Sequence, residues 1–283
     1  MDKYKIEKNT VQETLMIPLY GRRLCSQQFP GLFQDKSAAE LMDRIDYDFS
    51  ELEKQSGGLM QGFGALEVAM RQNNLAFEVR EYLQIHPKAA VINLGCGLDN
   101  TGRACDNGRC CIYNIDLPDV IELRQRLLPA GEREQNLALD LNRHEWMDAI
   151  PADPADGTIL FAAGVFYYFT AQQVRRLVAA MAERFPAGRL VFDAAGKTAV
   201  RLMRKTWIKQ ARIKEVGAYF SVKNAKAELE PWSPLLSVSS RRYMQGYQKL
   251  EWPGVKPIHC LLAKIADGPL HLQIVRAEFR EGS

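Results

Sequence analysis

The stretch Ala89–Asn100 (AAVINLGCGLDN) constrains this chain more than any other: an apolar run broken by two glycines with one residue between them. Such a run reads as a buried strand feeding a tight turn. Glycines there let bare backbone approach a ligand where a Cβ would collide. A dinucleotide fingerprint needs a third glycine three residues further on, and Asn100 holds that place, which disfavours nicotinamide and flavin. Nineteen residues past Gly97, the run Cys110–Ile115 closes on Asp116. A carboxylate at a strand's carboxyl edge can accept from both hydroxyls of a ribose. Together the two segments point to a bound adenosine.

Leu94-Gly95-Cys96-Gly97-Leu98-Asp99, then Asp116-Leu117-Pro118-Asp119-Val120-Ile121-Glu122-Leu123-Arg124, then Asp140-Leu141 with Trp146, resemble the leucine carboxyl methyltransferases and the polyketide O-methyltransferases of the tetracenomycin type. Ile17–Arg22 and Glu228–Trp232 extend the resemblance over most of the chain. It implies a class I S-adenosylmethionine-dependent O-methyltransferase. The fold expected is α/β, with a Rossmann-like seven-stranded sheet whose last strand is antiparallel, an N-terminal helical cap and a long crossover lid. The cofactor implied is S-adenosyl-L-methionine, held by Arg71, Gly95, Cys96, Gly97, Asp116, Leu117, Asp140, Leu141 and Ala163. Arg71 is the arginine expected to grip the methionine carboxylate, although spacing alone places it on a solvated helix face. Asp140 is expected to accept from the adenine amino group, although spacing alone equally allows a helix cap. The protein-methylating branch carries a Glu where Ala163 stands, which shifts weight toward small acceptors.

The 283 residues, 47% of them apolar, can bury a sizeable core. The 37 basic residues are nearly matched by 34 acidic ones, so charge argues for neither nucleic acid nor an anionic membrane. Six cysteines lack paired C-x-x-C spacing, which argues against metal and disulfides. No run reaches the roughly 18 apolar residues that span a bilayer, and no signal peptide is evident, so a cytoplasmic protein is expected. Self-association is left open.

Residues 1–86 read as the helical cap: Ser37 followed by Glu40 is a capping-box pattern, and Leu66–Leu83 repeats apolar residues at helical spacing. Residues 87–283 form the core. Pro118 starts an amphipathic helix, Gln135–Leu141 reads as a third strand, Gly157–Gly164 as a buried fourth and Arg189–Asp193 as a fifth, with a helix capped by Thr170 between the last two. Residues 196–256 are expected to supply a lid or substrate insertion. Its basic residues, from Arg201 to Lys214, lie on an ordinary amphipathic face rather than a nucleic-acid surface. Ile258–Ala266, Asp267-Gly268 and Leu270–Phe279 read as a hairpin. Tyr20, Arg22, Tyr168, Trp207, Tyr219 and Trp232 are the candidates for lining a small-molecule acceptor site. No catalytic base is assigned: none of His86, His144, His259 and His271 falls where one is expected. A carboxylate acceptor needs no base at neutral pH, whereas a phenol does. Methylation of a protein's C-terminal carboxylate and cofactor binding without catalysis are the alternatives.

Overall fold

This computed structural model of the chain describes residues 3–8, 10–55, 58–203 and 219–281, so Trp207 lies outside the described residues. The three longest helices ahead of the main sheet are α1 (Met16–Gln28), α2 (Lys36–Asp43) and α3 (Leu59–Ile85), with single-turn helices at Val11–Thr14 and Ser50–Gln55 beside them. Helix α2 begins two residues earlier than the Ser37–Glu40 pattern suggests. Asp35 is its cap and accepts from the Ala38 N–H at 3.1 Å, while Ser37 sits inside the first turn and donates to the same carboxylate. An aspartate satisfies an orphan amide there as well as a serine would. Helix α3 extends well beyond the expected Leu66–Leu83. It packs against α1, where Gly21 approaches Val68, and also against the sheet.

The core then alternates strand and helix: β1 (Ala90–Leu94), β2 (Cys111–Asp116), α4 (Pro118–Leu127), β3 (Glu134–Ala138), β4 (Thr158–Ala162), α5 (Ala171–Arg184) and β5 (Arg189–Ala194). Thr170 caps α5 with a reciprocal capping box to Gln173, as the sequence leads one to expect. Further along stand α6 (Lys197–Met203), α7 (Ala225–Leu229), β6 (Leu236–Arg242), α8 (Pro257–Asp267) and β7 (Gln273–Phe279).

The seven strands of the main sheet stand in the order β3-β2-β1-β4-β5-β7-β6, and Tyr4–Lys5 pairs with Ile45–Asp46 in a separate two-stranded sheet. The first five are parallel; β7 inserts antiparallel between β5 and β6, pairing Val275 with Phe192 and Ser240. This is the expected α/β sheet with an antiparallel last strand. The hairpin partner differs from expectation. Ile258–Ala266 is helical, and the strand beside β7 is Leu236–Arg242, drawn from the stretch assigned to the crossover. Ile258, Leu261, Leu262 and Ile265 recur at helical spacing behind Pro257, and that period prevails over their bulk apolar character.

Both sheet faces are buried. Val91, Ile159, Val191 and Ile274 pack beneath α3 with the N-terminal helices, and Ile92, Leu160, Phe192 and Val275 pack on the face covered by α5. The period of two along each strand divides the two cores. Across the first face, Glu78 of α3 pairs with Arg276 of β7 and lies 3.7 Å from Arg189 of β5. That packing fixes how α3 lies over the sheet.

Candidate functional site

Helix α3 runs against the strands, and two of its side chains mark both sheet edges. The Thr158 N–H, at the start of β4, donates to Tyr82 Oη at 3.1 Å. Eleven residues earlier, Arg71 lies against Gly164, just past the end of β4. A Cβ on Gly164, whose φ is +73°, would stand 2.5 Å from Arg71 Nη1. Only glycine both tolerates that backbone and admits the guanidinium. Asp193 of β5, buried, accepts from the Gly164 N–H at 2.6 Å and faces Arg71 Nη1 at 3.5 Å. Burial works against the charge of Arg71, but Asp193, ahead of Tyr243, Tyr167 and Asp99, more than offsets this and holds its pKa above the usual arginine value. Among the described residues this loose ion pair is the guanidinium's one charged partner, which leaves most of its five donors unengaged.

The β1–α loop sits beside this edge. Gly95 (φ +61°) and Gly97 (φ +47°) both take the left-handed conformation. The space next to them belongs to protein side chains: added Cβ atoms would meet Val165 Cγ2 at 2.6 Å and Leu15 Cδ2 at 2.8 Å. The glycines therefore serve backbone conformation and close packing as well as any ligand approach. Cys96 is buried, and burial pushes its thiol far above the usual range, so it is not a thiolate. Asp116, at the tip of β2, accepts from the Gly97 N–H and the Leu117 N–H, both at 2.8 Å. Burial raises its pKa, opposed by these two amide bonds. Each carboxylate oxygen keeps a further lone pair for a hydroxyl donor.

A residue that no sequence pattern singled out braces this loop from below. Arg124 of α4 is 1% exposed and donates to Gly97 O at 2.9 Å and Asp99 O at 2.6 Å. Its other nitrogens reach Asn136 Oδ1 and Glu134 Oε1 on β3. Asp140, half-buried beyond the end of β3, accepts from the Asn142 N–H at 2.9 Å. Leu141 is buried and borders an open groove with Asn142, His144 and Phe169. Ala163 directly precedes Gly164 at the edge of β4.

The acceptor-side candidates divide. Tyr168 is 43% exposed yet within electrostatic reach of Arg71 and Asp193, so it stands at the same sheet edge. The Tyr219 N–H donates to Tyr167 O at 2.9 Å, and its side chain is exposed. Arg22 is not among the partners of Arg71 at that edge. It is a buried strut that donates to Asp35 Oδ2 at 3.0 Å and Leu98 O at 2.9 Å, tying α1 to the glycine loop. Tyr20 is core, stacked on Phe49, and Trp232 packs on Phe220 at the α5 face. His259 is buried edge-on to Phe29, where burial lowers its pKa.

Residues 18–182 match the family of leucine carboxyl methyltransferases. The chain belongs to that family. As its members are, it is an S-adenosylmethionine-dependent methyltransferase. It is 31% identical over 186 residues to the tetracenomycin polyketide synthesis O-methyltransferase TcmP of Streptomyces glaucescens, a match covering 65% of this chain and 66% of that protein. It is 26% identical over 262 residues to the S-adenosyl-L-methionine-dependent methyltransferase dpfgK of Gibberella zeae, covering 86% of each. Among solved structures it is similar in fold to a putative methyltransferase from Thermobifida fusca, with a TM-score of 0.58, 15% identity and coverage of 92% of this chain and 94% of that one. Among the described residues no helix is long and apolar enough to cross a membrane.

Proposed function

We propose that this methyltransferase acts on an oxygen of a small molecule of polyketide or related secondary-metabolite type, in the cytoplasm. The observation that carries the reading is the Arg71 guanidinium, held across Gly164 at the carboxyl edge of the sheet with donors to spare. A planar fork suits a carboxylate bidentately, and the methionine end of the cofactor carries one. The residues fit the rest of that ligand: Asp116 keeps acceptor capacity for ribose hydroxyls, and Asp140 and Leu141 lie beyond the neighbouring strand for adenine. Cys96 and Leu117 contribute backbone on either side. Next to Arg71, the buried Gln72 Oε1 has no donor among the described residues, which suits the ligand's ammonium.

When bound, the sulfonium supplies a methyl group that carries its own leaving group. The chain's work is to align the acceptor, exclude water and manage the acceptor's proton. Tyr168 borders the acceptor side, and the Tyr219 N–H is tied to the backbone carbonyl of Tyr167 beside it. The name of the relative at 31% identity, an O-methyltransferase of polyketide synthesis, supports a small acceptor. Calorimetry with S-adenosylhomocysteine and with NAD tests the cofactor, and incubation with methyl-labelled S-adenosylmethionine and fractionated small-molecule extracts tests the transfer. Binding of NAD but not of S-adenosylhomocysteine, or label passing to protein fractions alone, refutes the reading.

A further inference from the structure

Resting on that reading, we propose that the ligand's ammonium is taken by Gln72 Oε1 and that Asn100 is the positioning residue that turns the Gln72 amide that way. The site is then selective for a free α-amino group as well as for the carboxylate at Arg71. A relay of hydrogen bonds with one possible polarity carries the argument.

The relay begins at Asp35, a carboxylate that can only accept. Arg22 Nη1 pairs with one of its oxygens at 3.0 Å, and the Ser37 hydroxyl donates to the other at 2.5 Å. Ser37 has then committed its one proton, so the Asn100 group 2.8 Å from its oxygen is the donor, Nδ2. That turns Asn100 Oδ1 towards α3, where Gln72 Nε2 donates to it at 3.1 Å and to Asp99 Oδ1 at 3.4 Å. Gln72 Oε1 is left over, buried and with no donor among the described residues. Reversing the Gln72 amide offers no relief, because Oε1 would then meet two acceptor oxygens. Asn100, whose φ of −116° asks for no glycine, thus has a use for its side chain at the place where a dinucleotide loop has none.

A buried acceptor without a donor is costly, and a ligand that supplies one recovers the loss. An ammonium brings three donors and no acceptor. Its charge is also provided for: Asp99, which accepts from the Thr101 N–H at 2.8 Å and the Thr101 hydroxyl at 2.6 Å, forms no ion pair among the described residues. Asp99 lies within electrostatic reach of Arg71, which precedes Gln72 on α3. Donors at Arg71 and acceptors at Gln72 and Asp99 therefore stand together, the polarity that a carboxylate and an ammonium on one carbon require.

Calorimetry with three ligands tests this: S-adenosylhomocysteine, its deamino analogue, which keeps the carboxylate, and 5′-methylthioadenosine, which has neither group. The wild type is expected to bind S-adenosylhomocysteine at least about tenfold more tightly than the deamino analogue, since a site built to meet a donor rejects a ligand that lacks it; equal affinities overturn the Gln72 site. Gln72→Met is expected to bring these two affinities within about threefold of each other by weakening S-adenosylhomocysteine alone, and a preserved difference overturns the site as well. Asn100→Ala and Ser37→Ala are each expected to narrow the difference while leaving 5′-methylthioadenosine unchanged. General loosening of the loop would weaken all three ligands alike, and that outcome overturns the positioning role. Adding Ser37→Ala to Asn100→Ala is expected to change nothing further, because both cut one relay; strictly additive losses overturn it. Failure of the wild type to bind S-adenosylhomocysteine at all overturns instead the cofactor reading beneath the proposal.

Discussion

Replacement of Arg124 by methionine probes whether the glycine loop is held from below. Methionine keeps most of the volume of a side chain that is 1% exposed, so the loss is one of polar partners rather than of packing. Two loop carbonyls, the buried Gly97 O and the partly buried Asp99 O, lose charged donors at 2.9 and 2.6 Å, and Glu134 loses one of its two arginines. Hydrogen bonds to charged groups contribute roughly 1.5–3 kcal/mol each, and breaking a buried ion pair on one side costs about 3–5 kcal/mol. The terms overlap, and Arg103 and Asn114 still hold Glu134, so the expected loss is about 3–5 kcal/mol in all. Urea unfolding followed by tryptophan fluorescence reads it directly. Calorimetry should show S-adenosylhomocysteine affinity falling with it, because Gly97 also donates to Asp116. Adding Glu134→Gln to Arg124→Met should recover roughly 0.5–2 kcal/mol, as coupled neighbours do. A loss below about 1 kcal/mol for Arg124→Met, or strictly additive losses in the pair, would refute this account of the brace.

Arg71→Lys should weaken S-adenosylhomocysteine binding, and Arg71→Ala should weaken it further, by about 2–4 kcal/mol. 5′-Methylthioadenosine, which lacks the carboxylate, should respond to neither, and equal weakening of both ligands would instead indicate a misfolded cap. Asp116→Ala should cost about 1–3 kcal/mol of affinity for either ligand, from the amide and hydroxyl donors left unpaired; unchanged affinity would remove it from the site. Gly164→Ala combines a φ of +73° with a Cβ 2.5 Å from Arg71 Nη1, so it should cost about 1–3 kcal/mol in stability and weaken S-adenosylhomocysteine more than methylthioadenosine. For Glu67 the fold raises the pKa from 4.5 to about 7, so folding favours the neutral form and the native state is penalised increasingly as pH rises between those values. Glu67→Gln should therefore match the wild type in stability near pH 4 and exceed it by about 1–3 kcal/mol at pH 8, a partly accessible group discounting the full shift; an advantage at low pH instead would contradict the sign.

Much of the sheet was legible because β1, β2, β4 and β5 are buried on both faces and read as near-continuous apolar runs. Asp116 was legible for the same reason, as a charge ending such a run. Leu236–Arg242 was not: its edge position leaves Ser239, Ser240, Arg241 and Arg242 exposed, and only Leu236 and Val238 carry the buried alternation. The helical period in Pro257–Asp267 was present but masked by its apolar density. Arg124 lies on an amphipathic helix where an arginine ordinarily faces water. Only the pairing of β2 with β3, which sets Asn136 and Glu134 under the loop, turns it inward. Arg22 carried a ligand-like signature, yet Asp35, thirteen residues on, absorbs its charge. Separations of that kind become contacts only once α1 and α2 have packed.

The 27 residues of α3 account for why a helix outside the alternating core governs the site. From Tyr82 to Arg71 the helix rises about 16 Å, close to the ~16 Å that the five residues of β4 span. A rigid rod anchored at one sheet edge thus delivers a guanidinium to the other without a flexible loop. Its apolar residues face α1 on one side and the sheet on the other, so the amphipathic pattern that would have revealed its polar stripe is filled in. Within that stripe the residues at 71, 78 and 82 keep helical spacing, and each meets a different partner: Asp193, Arg276 and Thr158. A helix turned by one residue, about 100°, would break all three relations together. The same packing that buries α3 therefore sets where the proposed carboxylate clamp meets the sheet edge, and a substitution that reseats the helix should lower stability and S-adenosylhomocysteine affinity together, whereas Arg71→Lys should lower the affinity alone.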